Sequence, residues 1–303
     1  MDASRIVVGY DGSVTSRAAL EWGIAEARAR HAPLRIVHAL ASPAVAVTGY
    51  GIYEPLDSEL IVKVGEQTLA TAVEQVQERA PDLEVDTKLI PGPPAKGLLG
   101  HLEDAGLVVV GSRGHGTFGE LLLGSTGVAL ATHAPCPVIV LREGVGRPIE
   151  ALEAGRVVVG IDGSELSTEA LAFAFEEASL RGAGLTAIHA WDALFFDVPG
   201  HGGPGVPDVM REFQGEELRL LSESLAGWRE KYPDVDVRQT LVHEEPVKAL
   251  VEASPGAALL VVGSRGRGGF RSMLLGSVSH ALVHHARCPV AIVRPTVSRS
   301  PAS

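Results

Sequence analysis

LVVVGSRGHGTFGELLLGS, residues 107–125, comes back as LLVVGSRGRGGFRSMLLGS at residues 259–277. In each stretch an apolar run meets Gly-Ser-Arg-Gly, and a second Gly-Ser closes the segment. A short, continuously apolar run that ends on glycine reads as a strand buried on both faces, with a turn at its carboxyl end. Working outward, the repeat extends along the chain. Ile6-Val7-Val8-Gly9-Tyr10-Asp11-Gly12-Ser13 returns as Val157-Val158-Val159-Gly160-Ile161-Asp162-Gly163-Ser164. Ile36-Val37-His38-Ala39 returns as Ala187-Ile188-His189-Ala190, and Cys136-Pro137-Val138 as Cys288-Pro289-Val290. Order is kept, and the offset stays close to half the chain. The chain therefore reads as two copies of one domain, residues 1–142 and 156–303. The linker between them is residues 143–155, where Gly144, Gly146, Pro148 and Gly155 interrupt regular structure.

Within the first copy, apolar runs at Arg5–Tyr10, Leu34–Leu40, Glu84–Ile90, Leu107–Val110 and Pro137–Leu141 are the expected strands. Helical stripes fill the gaps. Leu20, Ile24 and Ala27 recur as Leu171, Phe175 and Ala178; Leu69, Val73 and Val76 have a counterpart in Leu218, Leu221, Leu225 and Trp228. Strand alternating with helix predicts an α/β fold: two tandem, doubly wound, five-stranded parallel sheets. Ligands of such sheets sit beyond the carboxyl ends of the strands, where the winding reverses.

Composition narrows the function. The chain has 303 residues and a formal charge of -11, which argues against sequence-independent nucleic-acid binding. No apolar run approaches the about 20 residues of a membrane-spanning helix. The opening Met1-Asp2-Ala3-Ser4-Arg5 leads straight into a strand, so no signal peptide is expected and the expected location is cytoplasmic. Two cysteines do not make a disulfide framework.

The glycine loops carry the chemistry. Gly111-Ser112-Arg113-Gly114 and Gly263-Ser264-Arg265-Gly266 let backbone N–H groups converge on an anion. Gly124-Ser125 and Gly276-Ser277 stand where a helix should begin, with its unpaired N–H groups and positive dipole end. Ser125 and Ser277 would either donate a hydroxyl or cap that helix. Arg113, Arg265, Arg267 and Arg271 could supply charge. Spacing alone thus indicates a phosphate-like anion.

G-x2-G-x9-G-S after a strand, in two copies, each with an Asp after its first strand, resembles the ATP-binding branch of the universal stress protein family. The tandem arrangement is similar to two-domain members, and the resemblance covers roughly residues 5–142 and 156–294. It implies an adenine nucleotide alpha hydrolase-like, Rossmann-like fold with one adenine nucleotide per domain. Ribose and phosphates would then be held at Gly111, Gly114, Gly124 and Ser125, and at Gly263, Gly266, Gly276 and Ser277. Adenine and ribose would meet Gly9, Tyr10 and Asp11, and Gly160, Ile161 and Asp162. Ala39 and Ala190, matched to a residue after the second strand, would close on the base. Val110 and Val262, just before the loops, would line the same pocket, with Arg113 and Arg265 in the loops themselves. Asp11 and Asp162 would accept from ribose hydroxyls or the adenine amino group. Bound Mg²⁺ suits the charge of ATP, but no dedicated ligand cluster announces it.

The copies differ. Gly92-Pro93-Pro94 becomes Glu244-Glu245-Pro246, and copy two carries Arg267 and Arg271 near where copy one has His115 and Glu120. Copy two therefore has the more basic loop and is expected to bind at least as tightly. Other readings stay structural. Gly114-His115-Gly116-Thr117-Phe118-Gly119 spells G-x-G-x-x-G but follows the fourth strand, and copy two breaks it at Arg271. Asp11 and Asp162 could also serve as turn or cap residues. His38 and His189 read as packed, hydrogen-bonded histidines, His284-His285 as a surface or partly buried pair, and Cys136 and Cys288 as small core residues. Ala41–Asp57 and Asp192–Pro207 are long connections, expected either to lid the pocket or to be disordered.

Three functions fit these residues. The first is an ATP-binding, nucleotide-dependent regulatory protein of the stress response; the others are a weak ATP hydrolase and a structural dimer with empty pockets. No catalytic residue and no metal ligand is expected. The last strands, Val138–Leu141 and Val290–Val293, would lie at sheet edges that invite pairing, so the copies are expected to pack there as a pseudo-two-fold unit. A homodimer of the whole chain is a further expectation, with no nucleic-acid or membrane partner and a downstream protein partner left open.

Overall fold

The structure is a computed structural model that describes residues 4–40, 58–114, 124–142, 155–191, 206–267 and 275–294. The linker up to Ala154, the connection Ala41–Asp57, that of Asp192–Pro207 before Val206, and His115, Glu120 and Arg271 lie outside the described residues. The chain divides into two compact units, one closing at Glu143 and the other running Gly144–Pro295.

The first unit runs β1 (Arg5–Gly9), α1 (Val14–Ala29), β2 (Leu34–Leu40), α2 (Ser58–Arg79), β3 (Val85–Pro91), α3 (Pro94–Leu99), β4 (Ala105–Gly111), α4 (Ser125–His133) and β5 (Val138–Leu141). Its strands lie in the order β3-β2-β1-β4-β5 and pair in parallel throughout. Winding therefore reverses between β1 and β4. The second unit repeats the plan. It runs β6 (Val157–Gly160), α5 (Glu165–Arg181), β7 (Leu185–Trp191), α6 (Val206–Leu225), α7 (Trp228–Lys231), β8 (Val237–His243), α8 (Pro246–Ala253), β9 (Leu259–Gly263), α9 (Ser277–His285) and β10 (Val290–Val293). Its order is β8-β7-β6-β9-β10, again parallel. This is the doubly wound α/β architecture expected from the alternation of strand and helix. No helix among the described residues is long and apolar enough to cross a membrane.

Central strands are apolar because both faces are covered: Ile6, Val7, Val8, Val108, Val109, Val158, Val159 and Val261 are all inaccessible to solvent. The stripe Leu20, Ile24 and Ala27 and its repeat Leu171, Phe175 and Ala178 are buried as the helical period demands. On α2 the buried stripe is Leu69, Ala72 and Val76, with Val73 half-buried beside it. The expected stripe from Leu218 to Trp228 is wrong at both ends. Leu218 is 48% exposed, because the position before it, Glu217, faces inward and Leu221 and Leu225 follow at helical spacing. Trp228 belongs to another helix: Gly227 takes a left-handed φ of 80 and starts α7, where the indole stacks on Phe175 at 5.7 Å. Strand bounds shift slightly as well, β3 to Val85–Pro91 and β4 to Ala105–Gly111.

Ion pairs close the amino ends of the first sheet. Arg35 forks onto Asp86 at 2.9 Å, and Arg5 reaches Asp86 at 3.1 Å and Asp104 at 3.0 Å. In the second unit Arg156 donates to Thr186 Oγ1, the Leu185 carbonyl and Asp236. A glutamate is buried in each first helix: Glu26 pairs with Arg30, and Glu177 with Arg181 at 2.7 Å.

Burial pushes the Asp86 carboxyl up, but the hydrogen bond and charge of Arg35, with the charges of Arg5 and Lys88, outweigh it and hold the group below 3.8. A depressed folded value means this stability is present above 3.8 and is lost as pH falls through the lower folded value. Asp86→Asn should cost about 1 kcal/mol or less near neutral pH, since the pair is part-exposed and screened. It should also lose less than the parent as pH drops from about 5 to about 2. Urea unfolding across that range checks both.

Candidate functional site

At the switch point of the second unit a cavity of about 500 Å³ opens over the carboxyl ends of β6 and β9. Ile188 and Ala190 of β7, Val262 of β9 and Leu250 of α8 make its apolar part. Asp162, Arg265, Gly266, Arg267, Gly276 and Ser277 make the polar rim.

Glycine is required where backbones close in. A Cβ at Gly160 would stand 2.9 Å from Leu250 Cδ1, and one at Gly263 3.0 Å from the Leu166 carbonyl oxygen. A Cβ at Gly266 would overlap Asp162 Oδ2. That carboxylate is fixed on both oxygens. Oδ1 accepts from the Ser164 amide at 3.0 Å and its hydroxyl at 2.7 Å; Oδ2 accepts from the Arg267 amide at 2.8 Å. Burial pushes the Asp162 carboxyl up, but the Ser164 hydroxyl and amide, the Arg267 amide and the Ser167 hydroxyl outweigh it and hold it below 3.8. It is an anion at neutral pH. Ser164, not Asp162, caps α5, accepting from Ser167 N. The cap of α9 is Gly276, whose N–H donates to the Ser264 carbonyl at 2.8 Å. Ser277 is therefore the first helical residue and is exposed.

The first unit holds its counterparts in like geometry. Gly9 ends β1 against Val110 and Leu98. Tyr10 N donates to the Val37 carbonyl at 2.9 Å, as Ile161 N does to Ile188. Asp11 Oδ1 accepts from Ser13 N at 3.0 Å, Ser13 caps α1, and a Cβ at Gly114 would overlap Asp11 Oδ2. Gly111 packs on Thr15, whose hydroxyl donates to the Arg113 carbonyl. Gly124 caps α4 and donates to the Ser112 carbonyl at 2.7 Å, so Ser125 is again an exposed first helical residue. Ala39 and Ala190 lie inside β2 and β7 rather than after them.

All ten residues singled out in copy two, from Gly160 to Ser277, line the cavity. Ile188, Leu250, Ser167, Val278 and Ser279 line it too and were missed. Strand period would have found Ile188, two residues from Ala190 on one face; helix period would have found Leu250, four after Pro246. The carboxylates of Glu244 and Glu245 are spent on α8: Glu245 Oε2 accepts from Lys248 N at 2.9 Å, and Glu244 pairs with the Lys248 ammonium.

His38 Nδ1 donates to the Tyr10 carbonyl at 2.7 Å, and His189 Nδ1 to the Ile161 carbonyl at 2.6 Å. In copy two, Nε2 also meets Glu217 Oε2 at 2.5 Å. With Nδ1 committed as a donor, that contact needs a proton between ring and carboxylate. His284 is half-buried and His285 exposed. Among the described residues no group of three or more His, Cys, Asp or Glu is placed to hold a metal ion.

Against this geometry the comparisons are decisive. The chain matches the Universal stress protein family over residues 3–142 and 153–294. It belongs to the universal stress protein family. Universal stress protein Rv2005c of Mycobacterium tuberculosis is 39% identical over 299 residues, covering 95% of this chain and 96% of that one. Universal stress protein Rv2623 of the same organism is 37% identical over 302 residues, covering 97% of each. A universal stress protein of Archaeoglobus fulgidus shares the fold, with a TM-score of 0.65 at 20% identity, over 97% of this chain and 99% of that one. Both universal stress protein domains are thus present in tandem.

The cysteines stay out of the site's chemistry. Burial pushes both the Cys136 and Cys288 thiols up to about 12. At pH 8 only about 1 in 10,000 of either would be thiolate. Native protein should give almost no colour with a thiol-reactive disulfide reagent over minutes, and two thiols per chain after denaturation.

Proposed function

We propose that each universal stress protein domain binds one adenine nucleotide and that the protein is an ATP-dependent regulatory member of its family. One observation carries the reading: the cavity joins an apolar end to an anion-binding end. A purine fits against Ile188, Ala190, Val262 and Leu250. Phosphates fit the rim, where the glycine loop and the start of α9 offer backbone N–H groups and Arg265 and Arg267 offer charge. A cavity of about 500 Å³ suits a ligand of that size. The G-x2-G-x9-G-S pattern in both copies supports the same ligand for the first domain.

Binding is favoured over turnover. A general base works best with a pKa near the operating pH. Asp162 is held below 3.8, with both oxygens already accepting. It can orient a ribose hydroxyl through its remaining acceptor positions, but it is a poor acceptor for a proton. Mg²⁺, if carried in with ATP, would be held chiefly by the phosphates.

The test is to denature purified protein and identify the small molecules released, then to titrate emptied protein with ATP by calorimetry. ATP or ADP should be released, approaching two equivalents per chain. Gly114→Asp and Gly266→Asp should each remove one site, because the new carboxylate stands on Asp11 or Asp162 and repels phosphate. Arg267 lines the cavity, so the site left in Gly114→Asp should bind at least as tightly as the one left in Gly266→Asp. Protein that releases nothing and ignores added nucleotide would refute the reading.

A further inference from the structure

Helix α9 carries two histidines that the nucleotide reading does not use. His280 and His284 stand four residues apart, and neither lines the cavity. Residues at i and i+4 lie one above the other on one face of a helix. The two imidazoles meet there, with ring centroids 4.7 Å apart and planes tilted by 52°, so they are not stacked face to face. His280 is exposed and His284 half-buried, which leaves the pair within reach of an ion from solvent.

That separation matches the one a shared metal ion sets. An imidazole nitrogen binds a divalent transition ion at about 2.0–2.1 Å, which puts the ion about 3.2 Å from the ring centroid. Two rings on one ion, at an angle between square and tetrahedral, then have centroids about 4.5 to 5.2 Å apart. His280 and His284 fall inside this window. His284 and His285 do not: neighbours on a helix point about 100° apart, and these centroids are 6.3 Å apart. Ligation takes one nitrogen of each ring and leaves the other for a hydrogen bond, so a partner on the second nitrogen of His284 is compatible with it. The first unit has Val128 and Thr132 at these places on α4, so the pair is no part of what the two nucleotide sites share. Ala281 follows His280 where a hydrolytic H-E-x-x-H helix has its glutamate, which points to binding rather than hydrolysis.

We propose that His280 and His284 form a two-histidine chelate on α9 for one divalent transition ion of the Zn²⁺, Ni²⁺ and Cu²⁺ class. Imidazole donors favour these ions over Mg²⁺ and Ca²⁺, which take oxygen ligands. Water completes the coordination, since among the described residues no group of three His, Cys, Asp or Glu is placed to hold a metal ion. The chelate is separate from any Mg²⁺ carried in with ATP and does not depend on the nucleotide reading.

Calorimetry with zinc and nickel chloride tests this on the full chain, freed of any bound small molecule and held near neutral pH in a non-coordinating buffer. The parent should take up one equivalent at its tightest site, and excess magnesium chloride should not displace it. His280→Ala and His284→Gln should each weaken that site at least about 10-fold, because the second imidazole of a chelate is present at high effective concentration. His285→Ala should change it less than about 2-fold. Both rings must shed a proton to ligate, so in the acid range affinity should fall about 100-fold per pH unit, against about 10-fold for a single imidazole. Zn²⁺ should shift the ring resonances of His280 and His284 together in NMR spectra. No loss in either pair variant, an equal loss in His285→Ala, or displacement by Mg²⁺ overturns the proposal. His280 is exposed, so His280→Ala with the NMR readout decides the matter even where His284→Gln fails to fold.

Discussion

The site depends on one carboxylate held against one glycine. Asp162 leaves β6 and is gripped by Ser164 and by the amide of Arg267 in the loop after β9. Those strands are neighbours on either side of the switch point, and the carboxylate ties their ends across it. Because Oδ2 occupies the place of a Cβ at Gly266, the loop can lie where it does only with glycine there. Asp11 and Gly114 stand in the same relation in the first unit. An ionised, hydrogen-bonded carboxylate next to the proposed anion site looks contradictory until its partners are counted. Its charge is spread into amide and hydroxyl donors, one of which, the Arg267 amide, belongs to the glycine loop.

That arrangement explains why the fold was easy to read and the pocket wall was not. Strands such as Val157–Gly160 and Leu259–Gly263 are apolar on both faces, so they announce a covered parallel sheet without any partner being known. Duplication did the rest, since each weak signal occurred twice. The loop glycines, the Asp and the rim arginines were legible because backbone approach and charge restrict residue type. Leu250 and Ile188 carry no such restriction of residue type, and only the strand and helix periods, counted from Ala190 and Pro246, point to them. Periodicity gives their face; the packing of α8 and β7 brings that face to the pocket. The capping serines were half legible: Asp-Gly-Ser marks a helix start, yet which oxygen caps depends on Gly12 and Gly163 taking φ of 81 and 74.

The misread helix teaches more about the molecule. On α6 the inward position one turn before Leu221 is a glutamate, which breaks the apolar stripe and sends the eye to Leu218 instead. On α2 the matching inward residue is Gly65, where a Cβ would lie 2.5 Å from Leu40 Cδ2 and 2.8 Å from Leu89 Cδ1. One copy fills that space with apolar neighbours; the other opens it for a carboxylate that meets His189 at 2.5 Å. Both histidines still donate to the carbonyl of the residue preceding the site's Asp. The duplication has therefore kept the bond that shapes the strand end and changed what lies behind it.

Retention and change between the copies separate constraint from drift without any other sequence. Retained are Asp and its glycine, the Ser-Arg of each loop, the arginine after each last strand, and the buried glutamate of each first helix. Changed are Tyr10 for Ile161, Thr15 for Leu166 and Gly92-Pro93 for Glu244-Glu245. Of the retained set in the second unit, Asp162, Arg265 and Gly266 lie on the polar rim of the cavity. Substitutions touch the apolar wall, the helix starts and, with His115 against Arg267, the outer part of the glycine loop. A general base works best with a pKa near the operating pH, which the depressed Asp162 carboxyl does not have. What both copies retain instead is a carboxylate whose oxygens accept from the turn after the first strand and an arginine in each glycine loop, a set that suits the proposed charged ligand.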